Sequence, residues 1–278
     1  MSALALVDAW PVPHVAAAVV TPAGVRERSG DANHRFRLAS LAKVVTAWAV
    51  LIAVEDGTLS LDEPLGPPGS TVRHVLAHAS GLAFDTDVAL SPPGRRRIYS
   101  NTGYELLGEH TSRRTGIPFH AYVREAVCEP LTMSASDTTG SPAKGFHSTL
   151  ADMERFLAEL LRPTLLAPET VAEATSVQLP ELAGVVPGLG SYDPCPWGLG
   201  PELKGTKEPH WTGRSNSAAT FGHFGGAGTM MWVDPVADVA LVALTDRPFD
   251  EWADEALIRW PELSEDVLAR HRLRVTAS

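Results

Sequence analysis

The stretch from Val44 to Val54 constrains this chain most. Val44, Val45, Ala47, Trp48, Val50, Leu51 and Ile52 leave almost no polar face on a helical wheel. Such a helix is stable in water only when other layers cover it on every side. The chain must therefore fold around it, and 278 residues are enough to bury one large core or two layers about a shared cleft. The run is too short to span a bilayer. It begins near Ser40 and ends near Gly57.

Around this helix the pattern changes with position. Val12 to Val20 and Gly24 to Arg28 read as two strands about a Thr-Pro-Ala-Gly turn. Helices are predicted over Val72 to His78, Gly103 to Thr115, His120 to Cys128 and Thr149 to Leu161, where apolar residues recur at three- and four-residue spacing. Gly228 to Val233 and Val239 to Leu244 form a hairpin about Asp234-Pro235, and an amphipathic stretch from Trp252 to Arg272 follows, broken at Pro261. Strands at both ends with helices between them predict an α+β fold, its antiparallel sheet built from both termini. A single catalytic domain over 1–278 is expected, with its α/β part at about 1–60 and 205–278 and a mainly helical insert at about 61–204. The cleft between the two parts is the natural place for a site.

Three short motifs carry possible chemistry. In Ser40-Leu41-Ala42-Lys43 the hydroxyl and the amine share one helix face, and a lysine in so apolar a helix loses solvation, which lowers its pKa. The same four residues also read as a serine cap followed by a lysine whose stem runs along apolar surface. Tyr99-Ser100-Asn101 offers a phenol that can relay protons and an amide that can orient a lysine, or else a turn with Asn101 as helix cap. The glycines of Phe221 to Gly228, which include Gly222, Gly225 and Gly226, allow a ligand close to a strand, or mark a bulged edge.

Taken together and in order, Ser40-x-x-Lys43, Tyr99-x-Asn101 and His223-x-Gly225 resemble the three signature motifs of the class C β-lactamase-like group within the serine β-lactamase and penicillin-binding-protein superfamily. The group includes D-alanyl-D-alanine carboxypeptidases and family VIII carboxylesterases. Leu59 to Pro64, Thr71 to Leu82 and Trp232 to Pro235 match it as well, so the similarity covers roughly Phe36 to Arg247. The resemblance implies a β-lactamase/transpeptidase-like fold and an acyl-enzyme mechanism. Ser40 would attack a carbonyl carbon, with Lys43 and Tyr99 moving its proton. Asn101 would position the lysine and substrate, and backbone N–H groups of Ser40 and Gly226 would hold the oxyanion. His78 and Ser80 would brace the fold.

The third motif points to the substrate. Phe224 supplies no hydroxyl where relatives carry threonine, and His223 replaces a permanent lysine charge. Both changes weaken recognition of a carboxylate, so a carboxylesterase acting on small acyl esters is expected. The alternatives are a carboxypeptidase or weak β-lactamase, an acyltransferase, or a binding protein that kept the fold without the chemistry. Specificity is expected from the loops Phe84 to Arg97 and Pro180 to Ser217, with Trp197 and Trp211 either lining an acyl pocket or packing the core.

Other features exclude or narrow. A net charge of −10 disfavours nucleic acid and anionic membranes as partners. Arg95-Arg96-Arg97 reads as a solvated loop. No G-x-S-x-G, phosphate loop or dinucleotide fingerprint is present, and no cofactor is implied. His74 and His78 lack the glutamate of H-E-x-x-H, so no metal is assigned. Cys128 and Cys195 fit a reduced protein, with one disulfide left open. Met1 to Trp10 shows no basic leader, so a cytoplasmic location is expected. The sequence leaves oligomeric state undetermined.

Overall fold

A computed structural model describes residues 2–275. In chain order the strands and helices are β1 (Val15–Thr21), β2 (Gly24–Ser29), β3 (Arg35–Arg37), α1 (Ala42–Glu55), α2 (Val72–Leu76), β4 (Arg97–Ile98), α3 (Asn101–Thr115), α4 (Phe119–Val123), β5 (His147–Thr149), α5 (Leu150–Leu161), α6 (Pro168–Ala174), β6 (Gly184–Val186), β7 (Gly190–Tyr192), β8 (Glu202–Leu203), β9 (Phe221–Gly225), β10 (Thr229–Asp234), β11 (Val239–Thr245) and α7 (Ala253–Val275). The main sheet has six strands in the order β2-β1-β11-β10-β9-β8, all antiparallel. The first strand pairs with the last, Val15 opposite Thr245, so both ends of the chain build one sheet as the pattern predicts.

Alternation along β1 places one layer on each side of the sheet. Ala16, Ala18 and Val20 join α1 and α5 in one core, while Ala17 and Val19 face α7 and a 3-10 turn at Ala3–Ala9 in the other. The apolar helix is as buried as its composition demands: from Ala42 to Leu51 every residue is covered. Cys128 lies in the first core and Cys195 in the second; both thiols are free, so the disulfide left open by the sequence is not formed. No helix among the described residues is long and apolar enough to cross a membrane.

Several boundaries differ from the sequence reading for identifiable reasons. Helix α2 stops at Leu76, and His78 takes a positive φ of 54°, so His74 and His78 do not share a helical face. His74 instead completes a capping box with Thr71. The predicted helix from His120 becomes α4 followed by one π turn over Arg124–Cys128. Pro261 does not break α7, whose apolar stripe of Ala256, Trp260, Leu263, Val267 and Leu268 packs on the sheet both before and after it. Tertiary burial there outweighs the loss of one helical hydrogen bond.

Arg97 is no solvated loop residue. It is 3 % exposed, and its guanidinium donates to the carbonyls of Ala77, Cys195 (2.6 Å), Gln178 (2.7 Å) and Leu179 (3.3 Å). Burial without a carboxylate partner lowers its pKa to about 10. The planar donor fork ties the chain that follows α2 to the segment that forms the far wall of the cleft.

Candidate active site

Ser40 sits in a single 3-10 turn, Ala39–Leu41, two residues ahead of the start of α1. Ala39 has φ 47°, a left-handed conformation that costs a non-glycine residue energy and persists only where neighbours enforce it. The enforcing contacts are visible. Leu38 donates its N–H to Phe146 O at 2.8 Å, and Thr229 Oγ1 donates to Leu38 O at 2.9 Å.

Gly225 explains why the third motif ends in glycine. A Cβ there would lie 2.5 Å from Thr229 Oγ1, 2.6 Å from Leu38 O and 3.1 Å from Ala39 Cβ. Strand β9 thus presses directly on the turn that carries Ser40. At Gly226 a Cβ would meet nothing within 4 Å, because this residue faces the open cleft.

Lys43 is fully buried and its Nζ has three oxygens about it. Asn101 Oδ1 is at 2.6 Å, Ala143 O at 2.8 Å and Ser40 Oγ at 3.4 Å. Burial, reinforced by the charge of Lys144, holds its pKa well below the ordinary lysine value, against weaker opposition from Asp85 and Glu105. A neutral amine has two N–H bonds and one lone pair. In that neutral form Asn101 Oδ1 and Ala143 O, which only accept, take the two N–H bonds, and the lone pair is left toward Ser40. The amide of Asn101 is oriented by its own Nδ2, which donates to Asp85 Oδ1 at 2.8 Å.

Tyr99 donates its OH to Ser40 Oγ at 2.7 Å and lies 3.4 Å from His223 Nε2. Burial raises the phenol pKa strongly, so Tyr99 stays protonated. The neighbouring lysine does not offset this effect of burial. His223 Nδ1 faces Phe224 O at 2.6 Å; a carbonyl only accepts, which puts the proton on Nδ1 and leaves Nε2 an acceptor. Burial and then Lys43 lower its pKa to about 4.

The structure therefore brings Ser40, Lys43, Tyr99, Asn101 and His223 into one hydrogen-bonded cluster, with Gly225 and Gly226 beside it. His78 and Ser80 lie outside the cluster, both buried. His78 Nδ1 accepts from Ser100 N at 3.1 Å and its ring lies tilted against Tyr99, 4.4 Å between centroids. Ser100, not Asn101, caps α3, its Oγ accepting from Gly103 N at 3.0 Å. That frees the Asn101 amide for Lys43.

The cluster opens into a cleft of about 430 Å³ with mainly apolar walls, among them Phe84, Val186, Trp197, Phe224 and Phe249. Phe84 and Trp197 come from the two loops marked in the sequence, whereas Trp211 lies behind Phe224 in the core. Four contributors had no sequence signal of their own. Phe249 and Asp250 follow β11, far from any motif; the Ala143 carbonyl is a backbone atom; and Asp85 is one acid among many in a loop. No lysine or arginine is among the described residues that line the cleft; its two ionisable acids are Glu202 and Asp250. Glu202 is ion-paired with buried Lys207 at 2.9 Å, and its Oε2 accepts from Trp211 Nε1 at 2.9 Å.

Known proteins share this fold. A crystal structure described as a beta-lactamase from Mycobacterium bovis is 51% identical, with a TM-score of 0.95, covering 97% of this chain and 99% of that one. Penicillin-binding protein 4* of Bacillus subtilis is 29% identical over 135 residues, 37% of this chain and 30% of that protein. Esterase EstB of Burkholderia gladioli is 31% identical over 145 residues, 35% of this chain and 37% of that protein. The matches thus span only about a third of the length of these two relatives. The Beta-lactamase family model matches residues 7–261, and the chain belongs to that family of serine hydrolases.

Proposed function

We propose that this protein is a carboxylesterase that hydrolyses small neutral acyl esters through an acyl-enzyme on Ser40. The hydrogen-bond pattern of Lys43 carries the mechanistic part, because it leaves a free lone pair aimed at the Ser40 hydroxyl. As Oγ attacks the substrate carbonyl carbon, its proton moves to Lys43 and the carbonyl π electrons move onto oxygen. The backbone N–H groups of Ser40 and Gly226 receive that oxyanion, a contribution of about 3–4 kcal/mol per donor in comparable sites. The tetrahedral species collapses, the C–O bond to the alcohol breaks, and Tyr99 hands the departing oxygen a proton that Lys43 replaces. Water then repeats the sequence on the acyl-Ser40 ester, with Lys43 again as base.

Support for an ester comes from the charge of the cleft. Its acids, its neutral His223 and the lack of lysine or arginine among its described lining residues leave a substrate carboxylate no cationic partner there. Of the relatives, one bears an esterase name and another a β-lactamase name, and this charge distribution favours the former. The net charge of −10 adds no reason to invoke nucleic acid or a membrane.

The test compares p-nitrophenyl butyrate with p-nitrophenyl hemisuccinate, which adds a carboxylate to a similar acyl chain, and with fluorescent penicillin. Preference for the butyrate and slow or absent penicillin labelling are expected. Preference for the hemisuccinate, or rapid stoichiometric labelling, would overturn the ester reading in favour of the carboxypeptidase or β-lactamase alternative.

A further inference from the structure

We propose that His14, His34 and Asp246, beyond the paired ends of the interior strands β1 and β11, form a binding site for a divalent transition-metal ion of the zinc class. The three residues come from separate stretches of chain. His14 immediately precedes β1, Asp246 immediately follows β11, and the β1–β11 register makes them cross-strand neighbours beyond the Val15–Thr245 pair. His34 arrives from the approach to β3, its ring packed edge-on against buried Phe36 at 4.5 Å.

One ligand atom from each residue already falls within 4.8 Å of the other two. His14 Nδ1 is 2.5 Å from Asp246 Oδ2, and His34 Nε2 is 4.0 Å from the same oxygen. Zinc bonds of about 2.0–2.1 Å in a tetrahedron put ligand atoms roughly 3.3 Å apart. The observed separations straddle that value, and the two imidazoles, stacked 4.5 Å apart, turn about their side-chain torsions to bring both nitrogens onto one ion. Two imidazoles and one carboxylate are donors that suit zinc and disfavour magnesium or calcium, which prefer all-oxygen shells.

The carboxylate is held in position from behind. Asp246 Oδ1 accepts the backbone N–H of His14 at 2.9 Å, which fixes the group and leaves Oδ2 facing the imidazoles. Supporting hydrogen bonds of this kind orient metal ligands in built sites. The side chains of His14, His34 and Asp246 are 59%, 32% and 31% exposed, so an ion and a completing water can reach them.

The location gives the ion something to do. Immediately after Asp246 the chain runs through Arg247 and Pro248 to Phe249 and Asp250, which line the cleft, and Phe249 N donates to Gly226 O at 3.0 Å. An ion at Asp246 would cross-link the two terminal strands where this wall of the cleft departs.

The experiment titrates the full chain with Zn2+ in competition with a chromophoric chelator, follows thermal unfolding with and without Zn2+, and records visible spectra with Co2+. One ion per chain, a melting temperature raised by Zn2+ but not Mg2+, and the intense visible bands of a four-coordinate Co2+ site are expected. His14→Gln and His34→Gln should each lower Zn2+ affinity by about 10-fold or more, while His120→Gln, at an exposed position elsewhere, should leave it unchanged. Should either variant fold poorly, the wild-type Co2+ spectrum still decides, since a six-coordinate aqua-like spectrum overturns the site. Zn2+ affinity and melting shift unaffected by both substitutions would overturn it equally, and would leave His14 and Asp246 as a surface ion pair.

Discussion

Replacing Gly225 with alanine should damage activity out of proportion to the single methyl group it adds. The new Cβ would stand 2.6 Å from Leu38 O and 2.5 Å from Thr229 Oγ1, where ordinary contacts begin at 3.4 Å. The Leu38 carbonyl must therefore retreat by about 0.8 Å, or β9 must bend away by as much. Ser40 is two residues beyond Leu38 and is held by the Thr229–Leu38 hydrogen bond that the methyl group disrupts. Overpacking of this degree typically costs about 1–3 kcal/mol of stability. Displacing a reacting group by about 1 Å costs on the order of 100-fold in rate. We expect Gly225→Ala to melt several degrees lower yet remain folded at 25 °C, with kcat on p-nitrophenyl butyrate down by roughly 100-fold. Gly226→Ala, whose Cβ meets nothing, should melt like the wild type. Wild-type kcat and melting behaviour in Gly225→Ala would refute the idea that β9 sets the position of the nucleophile.

Tyr99→Phe removes the donor 2.7 Å from Ser40 Oγ and should lower kcat by about 100- to 10,000-fold with KM little changed, read by steady-state kinetics. His223 is neutral in the folded protein down to about pH 4 but protonates near pH 6.5 when unfolded. The unfolded chain thus binds the extra proton in this window, so stability falls as pH drops through it, by about 2–3 kcal/mol at roughly pH 4.5. Urea titrations of wild type and His223→Gln at that pH and near neutrality should show a smaller acid loss in the variant; an equal loss would contradict the assignment. Lys43 has the same sign: activity that depends on its free amine should fall as pH drops through its depressed pKa, and His223→Gln should retain that acid limb in kcat/KM. Arg97→Met should cost about 3 kcal/mol or more in urea unfolding, because four carbonyls lose a buried donor, and a loss under about 1 kcal/mol would show that water replaces the guanidinium.

What could be read in the sequence follows from how each feature is encoded. The apolar helix and the terminal strands declare themselves through local periodicity, and their burial and pairing follow with little choice. The side chains that cluster in the cleft were legible because three motifs in fixed order resemble a known family. Features set by distant contacts were not legible. Nothing local distinguishes Arg97 from Arg95 or Arg96; its burial depends on carbonyls of residues 77, 178, 179 and 195 converging on it. Pro261 broke the helical pattern on paper, but packing on the sheet held the helix through it. Asn101 and Ser100 are both competent caps, and the choice of Ser100 rests on the Ala83 carbonyl that also takes its hydroxyl, at 2.6 Å. The raised phenol pKa of Tyr99 likewise emerges only from three-dimensional burial, whereas the lowered pKa of Lys43 was already legible in the apolar helix around it.

The central claim is that Ser40 accepts the acyl group, and the most direct measurement is hydrolysis of p-nitrophenyl butyrate by purified wild type and Ser40→Ala, with intact-protein mass spectrometry on rapidly quenched samples. The account predicts turnover and a single butyryl adduct on Ser40 in the wild type, and neither in the variant. Turnover that persists in Ser40→Ala, or an adduct on any other residue, would contradict it.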